Sequence, residues 1–167
     1  MEFNIDWKGQ KYLMEWLDDV DFESLENVVQ AYGFIFDKNG KLCIINCTGN
    51  WCLPGGTIED YDNNFEDTLI REVNEEADLD IENIKRVGCF KCTSLSDNCE
   101  RKGVHHILRY VADVDNIKEQ TEDPAIGKIP ERKFIDTEDF LKFVPWGDSG
   151  AFQLKKALEV LNGKERI

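Results

Sequence analysis

Val28 to Asp37 reads VVQAYGFIFD, a β-rich run, and the next four residues, KNGK, centre an Asn-Gly turn signal. Leu42 to Asn46 then reads as the partner strand of a hairpin. WCLPGG, from Trp51 to Gly56, is a strand end breaking into a glycine loop. A helical pattern begins at Asn64 or Phe65 and runs to Ala77. Ile84 to Thr93 and Val104 to Val114 predict two more strands around a polar loop, SLSDNCERKG. A longer polar loop at 115–130 holds Pro124 and Pro130, and Lys133 to Ile135 predicts a short strand. Thr137 is expected to cap a helix over Glu138 to Phe143. Ser149 is expected to precede a last helix, Ala151 to Leu161, ended by Asn162-Gly163. Upstream, Tyr12, Leu13, Trp16 and Leu17 fall at helical spacing. The pattern predicts that residues 1–28 form an extension with a short amphipathic helix, packed on the body or serving as a homodimer contact. The main domain is expected over 29–167. Strands early and in the middle, with one helix between them and more at the end, predict an α/β fold: a mixed sheet covered by helices on both faces.

Composition adds bounds. A chain of 167 residues, 41% apolar and 32% charged, suits one folded domain. No apolar run approaches the roughly 18–20 residues that cross a bilayer. Met1 to Asp6 lacks the basic-then-apolar pattern of a signal peptide, so a cytoplasmic protein with no membrane partner is expected. A net charge of −14 repels phosphate backbones and argues against a nucleic-acid-binding face. It equally requires that any phosphate ester be bridged to the carboxylates by a divalent cation. The six cysteines are expected as reduced thiols. Cys89 and Cys92 have zinc-like spacing, but residues three apart on a strand face opposite sides, so neither a disulfide nor a structural metal is expected. His105 and His106, adjacent on a predicted strand, cannot easily chelate one ion for the same reason.

The chemistry concentrates in GGTIEDYDNNFEDTLIREVNEEADL, residues 55–79. Paired glycines let the backbone approach another group closely. On the helix, Glu72, Glu75 and Glu76 stand at i, i+3 and i+4 and share an arc of about 100° beside the apolar stripe of Leu69, Ile70, Val73 and Ala77. Clustered carboxylates repel one another, and a bound Mg²⁺ or Mn²⁺ relieves that repulsion. Alone, such a row reads more readily as a solvated acidic face.

The whole segment resembles the Nudix box, G-x5-E-x7-R-E-U-x-E-E-x-G-U, where U is a bulky aliphatic residue. Arg71 to Leu79 match it at every fixed position except the glycine, which is Asp78. Gly55-Gly56-Thr57-Ile58-Glu59 resembles the family's G-G-x-x-E opening, and Trp51-Cys52-Leu53-Pro54 its frequent W-x-L-P. One extra residue between Gly56 and Arg71 puts Asn63 where the box has its first glutamate, with Asp62 or Glu66 as substitutes. Asp78 tolerates the left-handed backbone a glycine would take.

The resemblance implies a Nudix-type α/β/α sandwich and a pyrophosphohydrolase acting on a nucleoside diphosphate derivative: a nucleoside triphosphate, an oxidised nucleotide or a nucleotide sugar. It implies Mg²⁺ or Mn²⁺ held by Glu72 and Glu76, by Glu75 directly or through water, and by the Gly56 carbonyl. Arg71 would pair with a loop carboxylate, Glu59 being the expected partner. The base would be Glu72, Glu75 or a later acid, with Glu131 ranked ahead of Glu119 and Glu122. Family subgroups carry a proline or tyrosine about 15–18 residues after the box; Thr93 to Asp97 holds neither, and no subgroup is assigned. Arg101, Lys102 and Arg109 are candidate phosphate contacts, and Trp51, Phe90 and Tyr110 candidate base-stacking residues. Asn63 and Asp78 motivate the competing reading, a catalytically weak Nudix fold used as a nucleotide sensor or interaction module.

Overall fold

The computed structural model describes residues 1–163. Nine strands form one mixed sheet: β1 (Glu2–Trp7), β2 (Gln10–Leu17), β3 (Val28–Phe36), β4 (Leu42–Asn46), β5 (Trp51–Cys52), β6 (Gly55–Thr57), β7 (Leu79–Ser94), β8 (Val104–Ile117) and β9 (Glu131–Ile135). Their order is β1-β2-β7-β8-β3-β4-β5, with β6 beside β3 and β9 beside β4. Among the described residues only β3 and β8 pair in parallel. Helix α1 (Phe65–Ala77) covers one face; α2 (Phe140–Phe143) and α3 (Gly147–Leu161) cover the other. This is the α/β sandwich the sequence predicts.

The central strands bury both faces, which is why they read as unbroken apolar runs. Phe34, Phe36, Leu42 and Ile44 point to the α3 side, while Ala31, Ile35, Cys43 and Ile45 alternate onto the α1 side. The same alternation sends Cys92 into the first core and Cys89 into the second, so the two thiols lie on opposite faces.

Residues 1–17 form no helix. They make an antiparallel hairpin whose turn places Lys8 and Gly9 at φ 52° and 81°, and β2 extends the sheet along β7. Two central residues at positive φ twist the turn to match the strands. Tyr12, Met14 and Trp16 satisfy a period of two as well as Tyr12, Leu13, Trp16 and Leu17 satisfy a helical one. The available sheet edge decides between them, and Trp16 is buried against Phe90 and Phe152. Two later boundaries also differ. Asp136, without a side-chain cap bond, precedes a 3₁₀ turn at Thr137–Asp139. Ser149 lies inside α3 and donates its hydroxyl to Trp146 O at 2.9 Å.

The sheet is arranged so that one end opens around the glycine loop. Strands β3 and β4 share a single register pair, Phe36 with Leu42, and then diverge. β3 takes β6 as its neighbour, with Ala31 opposite Gly56, while β4 takes β9 and β5. The loop that carries Gly55 and Gly56 is thus laid directly against α1.

Candidate functional site

Helix α1 presents its chemistry because both of its ends are fixed. Asn64 Oδ1 accepts from Asp67 N at 2.8 Å at the N-terminus. Asp78 closes the C-terminus at φ 48°, ψ 46°, the left-handed conformation the box glycine would take. Leu69, Val73 and Ala77 bury one stripe, while Ile70, expected beside them, is exposed. The row Glu72, Glu75, Glu76 then borders the glycine loop.

Arg71 organises this border. A guanidinium has five N–H donors, and all five are used. Nε and Nη2 grip Asp62 Oδ1 and Oδ2, each at 2.9 Å, and Nη2 also reaches Thr57 O at 2.9 Å. Nη1 reaches Glu72 Oε1 at 2.9 Å and Glu75 Oε2 at 3.2 Å. The loop partner is therefore Asp62, not Glu59. Asp62 also accepts from the Glu59 backbone N–H and the Thr68 hydroxyl, which closes the acidic loop upon itself. Arg71 holds the Asp62 carboxyl far below the usual carboxylate range. Asn63 does not take this place; its amide donates to Asp67 at 2.9 Å. The extra loop residue is absorbed because the chain swings Asp62 onto the arginine. The extra residue is thus accommodated in the loop, and Asp78 takes the cap conformation a glycine would take.

Glu76 is the most deeply enclosed of the three acids. Gly55 N donates to its Oε2 at 2.9 Å, and the Cys47 thiol donates to Oε1 at 3.7 Å. Burial pushes its pKa up to about 8, and the charges of Glu72 and Asp123 add to the rise. Burial raises Glu72 as well, against the lowering effect of Arg71. Among the described residues no lysine or arginine pairs with Glu76. Gly56 is needed on the opposite wall: a Cβ there would stand 2.5 Å from Glu72 Oε2.

Asp123 is a site residue the sequence reading passed over. It is 3% exposed, and its carboxylate lies within 4.8 Å of Glu76 and the Cys47 sulfur. Its Oδ1 accepts from Ala125 N at 2.7 Å, the signature of an Asx turn. Followed by Pro124, it carries the sequence signal of an ordinary turn. Loop 118–130 is brought to the helix by Asp78, whose two oxygens accept from Thr121 N at 2.7 Å and Thr121 Oγ1 at 2.8 Å. Arg132 clamps the loop base, donating to Ala77, Asp78 and Lys118 carbonyls. Glu131 stands exposed at the start of β9, opposite Asn46. Glu119 and Glu122 are both exposed in the same loop.

Several candidate substrate contacts are corrected. Phe90 and Tyr110 are completely buried and cannot stack on a base. Arg109 is buried on the α3 face, where Nε donates to Gln153 at 2.6 Å and the guanidinium lies among Tyr32, Phe90 and Trp146. Burial lowers its pKa to about 10. It serves the core, not the acidic loop. Trp51 remains part-exposed, with Lys133 over its ring at 4.9 Å. His106 bonds Glu26 O at 2.7 Å, and His105 meets Tyr12 edge-on, so the pair diverges as expected.

The family model described as the NUDIX domain matches residues 26–154. No curated protein sequence matches the chain. Among solved structures, a mutant of the Bacillus subtilis pyrophosphohydrolase BsRppH superimposes with a TM-score of 0.72 at 19% identity, covering 96% of this chain and 97% of that one. An ADP-ribose pyrophosphatase from Streptococcus suis gives 0.59 at 23% identity, covering 83% and 94%. The NUDIX domain of Shewanella oneidensis NrtR, complexed with ADP ribose, gives 0.59 at 18% identity, covering 86% and 94%. Likeness at these identities speaks to the fold. No helix of residues 1–163 is long and apolar enough to cross a membrane.

Proposed function

The chain belongs to the Nudix family, and on that premise we propose that it is a divalent-metal-dependent pyrophosphohydrolase acting on a nucleoside diphosphate derivative. The observation that carries this reading is the carboxylate cluster of Glu72, Glu76 and Asp123. Two of its members are driven toward the neutral form by burial and mutual charge. A carboxylate set without a cationic partner for Glu76 fits a hard divalent ion. Glu72, Glu76 and the Gly56 carbonyl would hold Mg²⁺ or Mn²⁺, with Glu75 acting directly or through water. When bound, the ion neutralises a diphosphate bridge and makes water acidic enough to attack it.

The protein's own groups do the rest. Arg71 is saturated, so it is a positioning residue: it locks Glu72 and Glu75 toward the glycine loop and ties that loop down through Asp62 and Thr57 O. Glu75, more exposed than Glu72, is suited to take the proton of an attacking water. Asp123, in the loop after β8, and Glu131, at the start of β9, are the alternative acceptors. A chain of this net charge gains nothing from a polyanionic partner, and a small substrate is expected.

The decisive experiment is a panel of nucleoside triphosphates, oxidised nucleotides, nucleotide sugars, ADP-ribose and dinucleoside polyphosphates with Mg²⁺ and Mn²⁺, scored for phosphate and pyrophosphate release. Hydrolysis of at least one class, abolished by chelation, is expected. Tight nucleotide binding with no turnover in any arm would favour the sensor. Gly56→Ala is the companion probe. Gly56 is not at positive φ, so alanine fits the backbone, and the three atoms nearest an added Cβ all belong to the carboxylate end of Glu72. The unfolding midpoint should stay close to wild type while calorimetric Mn²⁺ affinity falls about tenfold, the scale of a displaced ligand shell. Unchanged affinity would remove Glu72 from the ligand set.

A further inference from the structure

The Cys47 sulfur and one oxygen each of Glu76 and Asp123 lie within 4.8 Å of one another. They come from three separate places: the turn after β4, the last turn of α1 and loop 118–130. Four ligands around a zinc-sized ion, at about 2.0–2.3 Å from it, stand about 3.5 Å apart. A slight closing of this trio therefore suffices to surround one ion. The cysteine is not part of the box motif, and it is part-buried with its thiol turned onto Glu76.

We propose that Cys47, Glu76 and Asp123 form a sulfur-containing ligand set that takes a borderline divalent ion of the zinc or cobalt class in preference to Mg²⁺. The inference rests on Glu76 being a metal ligand and extends that reading to a second kind of ion. Its basis is donor chemistry. Magnesium takes oxygen and keeps its waters, whereas thiolate selects softer, later ions. A metal ion takes cysteine sulfur as the thiolate, so the Cys47 thiol must give up its proton to bind. Binding therefore displaces one proton from sulfur to solvent as the metal–sulfur bond forms, with no change of oxidation state. Both ions compete for Glu76. Zinc held through sulfur accordingly blocks Mg²⁺-supported turnover, which makes the site an inhibitory one.

Cobalt(II) reports sulfur ligation directly. Titrating the metal-free full chain with Co²⁺ should give a saturable sulfur-to-cobalt charge-transfer band in the near ultraviolet. Cys47→Ser and Cys47→Ala should each abolish it. Cys52→Ser, which changes a nearby thiol outside the trio, should keep it. Zn²⁺ affinity, read by competition, should fall at least about tenfold in Cys47→Ser while Mn²⁺ affinity moves less than about twofold. No band in wild type, with Mn²⁺ still bound in a Glu76-dependent way, overturns the sulfur site and leaves the oxygen site standing. Failure of wild type to bind either ion overturns both. A band lost in Cys52→Ser but kept in Cys47→Ser overturns the assignment to Cys47.

Discussion

Glu72→Gln is expected to leave the protein folded and to lower hydrolysis by at least about 100-fold, the usual scale for losing a base or metal contact. Glutamine keeps the shape and helix propensity, and its carbonyl can still accept the Arg71 Nη1 bond that Glu72 Oε1 accepts at 2.9 Å. What disappears is one negative charge beside Glu76. Glu72 is among the groups that push Glu76 upward, so its loss relieves repulsion in the metal-free protein. The metal-free melting temperature should therefore hold or rise. The stabilisation that Mn²⁺ confers on wild type through binding the native state should shrink or vanish. Melting with and without Mn²⁺, together with turnover on the best panel substrate, makes the comparison. Full activity in the mutant would mean that the catalytic centre does not include Glu72. A mutant that unfolds would instead assign the residue to the scaffold through Arg71.

Helix α1 was legible because a dense motif and a 3.6-residue period coincide there. Leu69, Val73 and Ala77 define the buried stripe, and the acids follow from it. The central strands were equally plain as strands, since both faces are apolar, but the hairpin expected across the Asn-Gly turn is reduced to one pair, Phe36 with Leu42, because β3 and β4 take other neighbours. The N-terminal hairpin was not, because Tyr12, Trp16 and their neighbours suit either period and only the edge of β7 distinguishes them. The partner of Arg71 was misplaced for a related reason. Glu59, Asp60 and Asp62 are interchangeable by composition, and the choice depends on how an extra loop residue is absorbed. Asp123 lay 47 residues from Glu76 in a stretch whose Asp-Pro step signals a turn. Its second role exists only once the loop is folded back. Phe90, Arg109 and Tyr110 failed as substrate contacts because residue type says what a side chain can touch, whereas burial decides what it does touch.

That fold-back makes Asp78 the most informative departure from the box motif, and Asp78→Gly is expected to weaken metal binding about 10–100-fold, as losing a ligand's outer support does, while barely altering stability. Glycine is the residue the motif has at this point and adopts φ 48° without strain. Restoring it removes about 1–2 kcal/mol of left-handed strain. It also deletes the two hydrogen bonds to Thr121, each worth about 0.5–1.5 kcal/mol. The two effects nearly offset, so the unfolding midpoint should move little. The consequence appears elsewhere. Without the carboxylate, Thr121 is released, and loop 118–130 no longer fixes Asp123 beside Glu76. Amide exchange across Thr121 to Asp123 should accelerate, and calorimetric Mn²⁺ affinity should drop with it. Asp78→Asn, which tolerates the same backbone and keeps one acceptor for Thr121, should recover part of both. This rescue separates positioning from mere capping, since both variants cap the helix and only asparagine can hold the loop. Unchanged exchange and affinity in Asp78→Gly would show that Arg132, through its bonds to Ala77, Asp78 and Lys118 carbonyls, secures the loop without help from the aspartate.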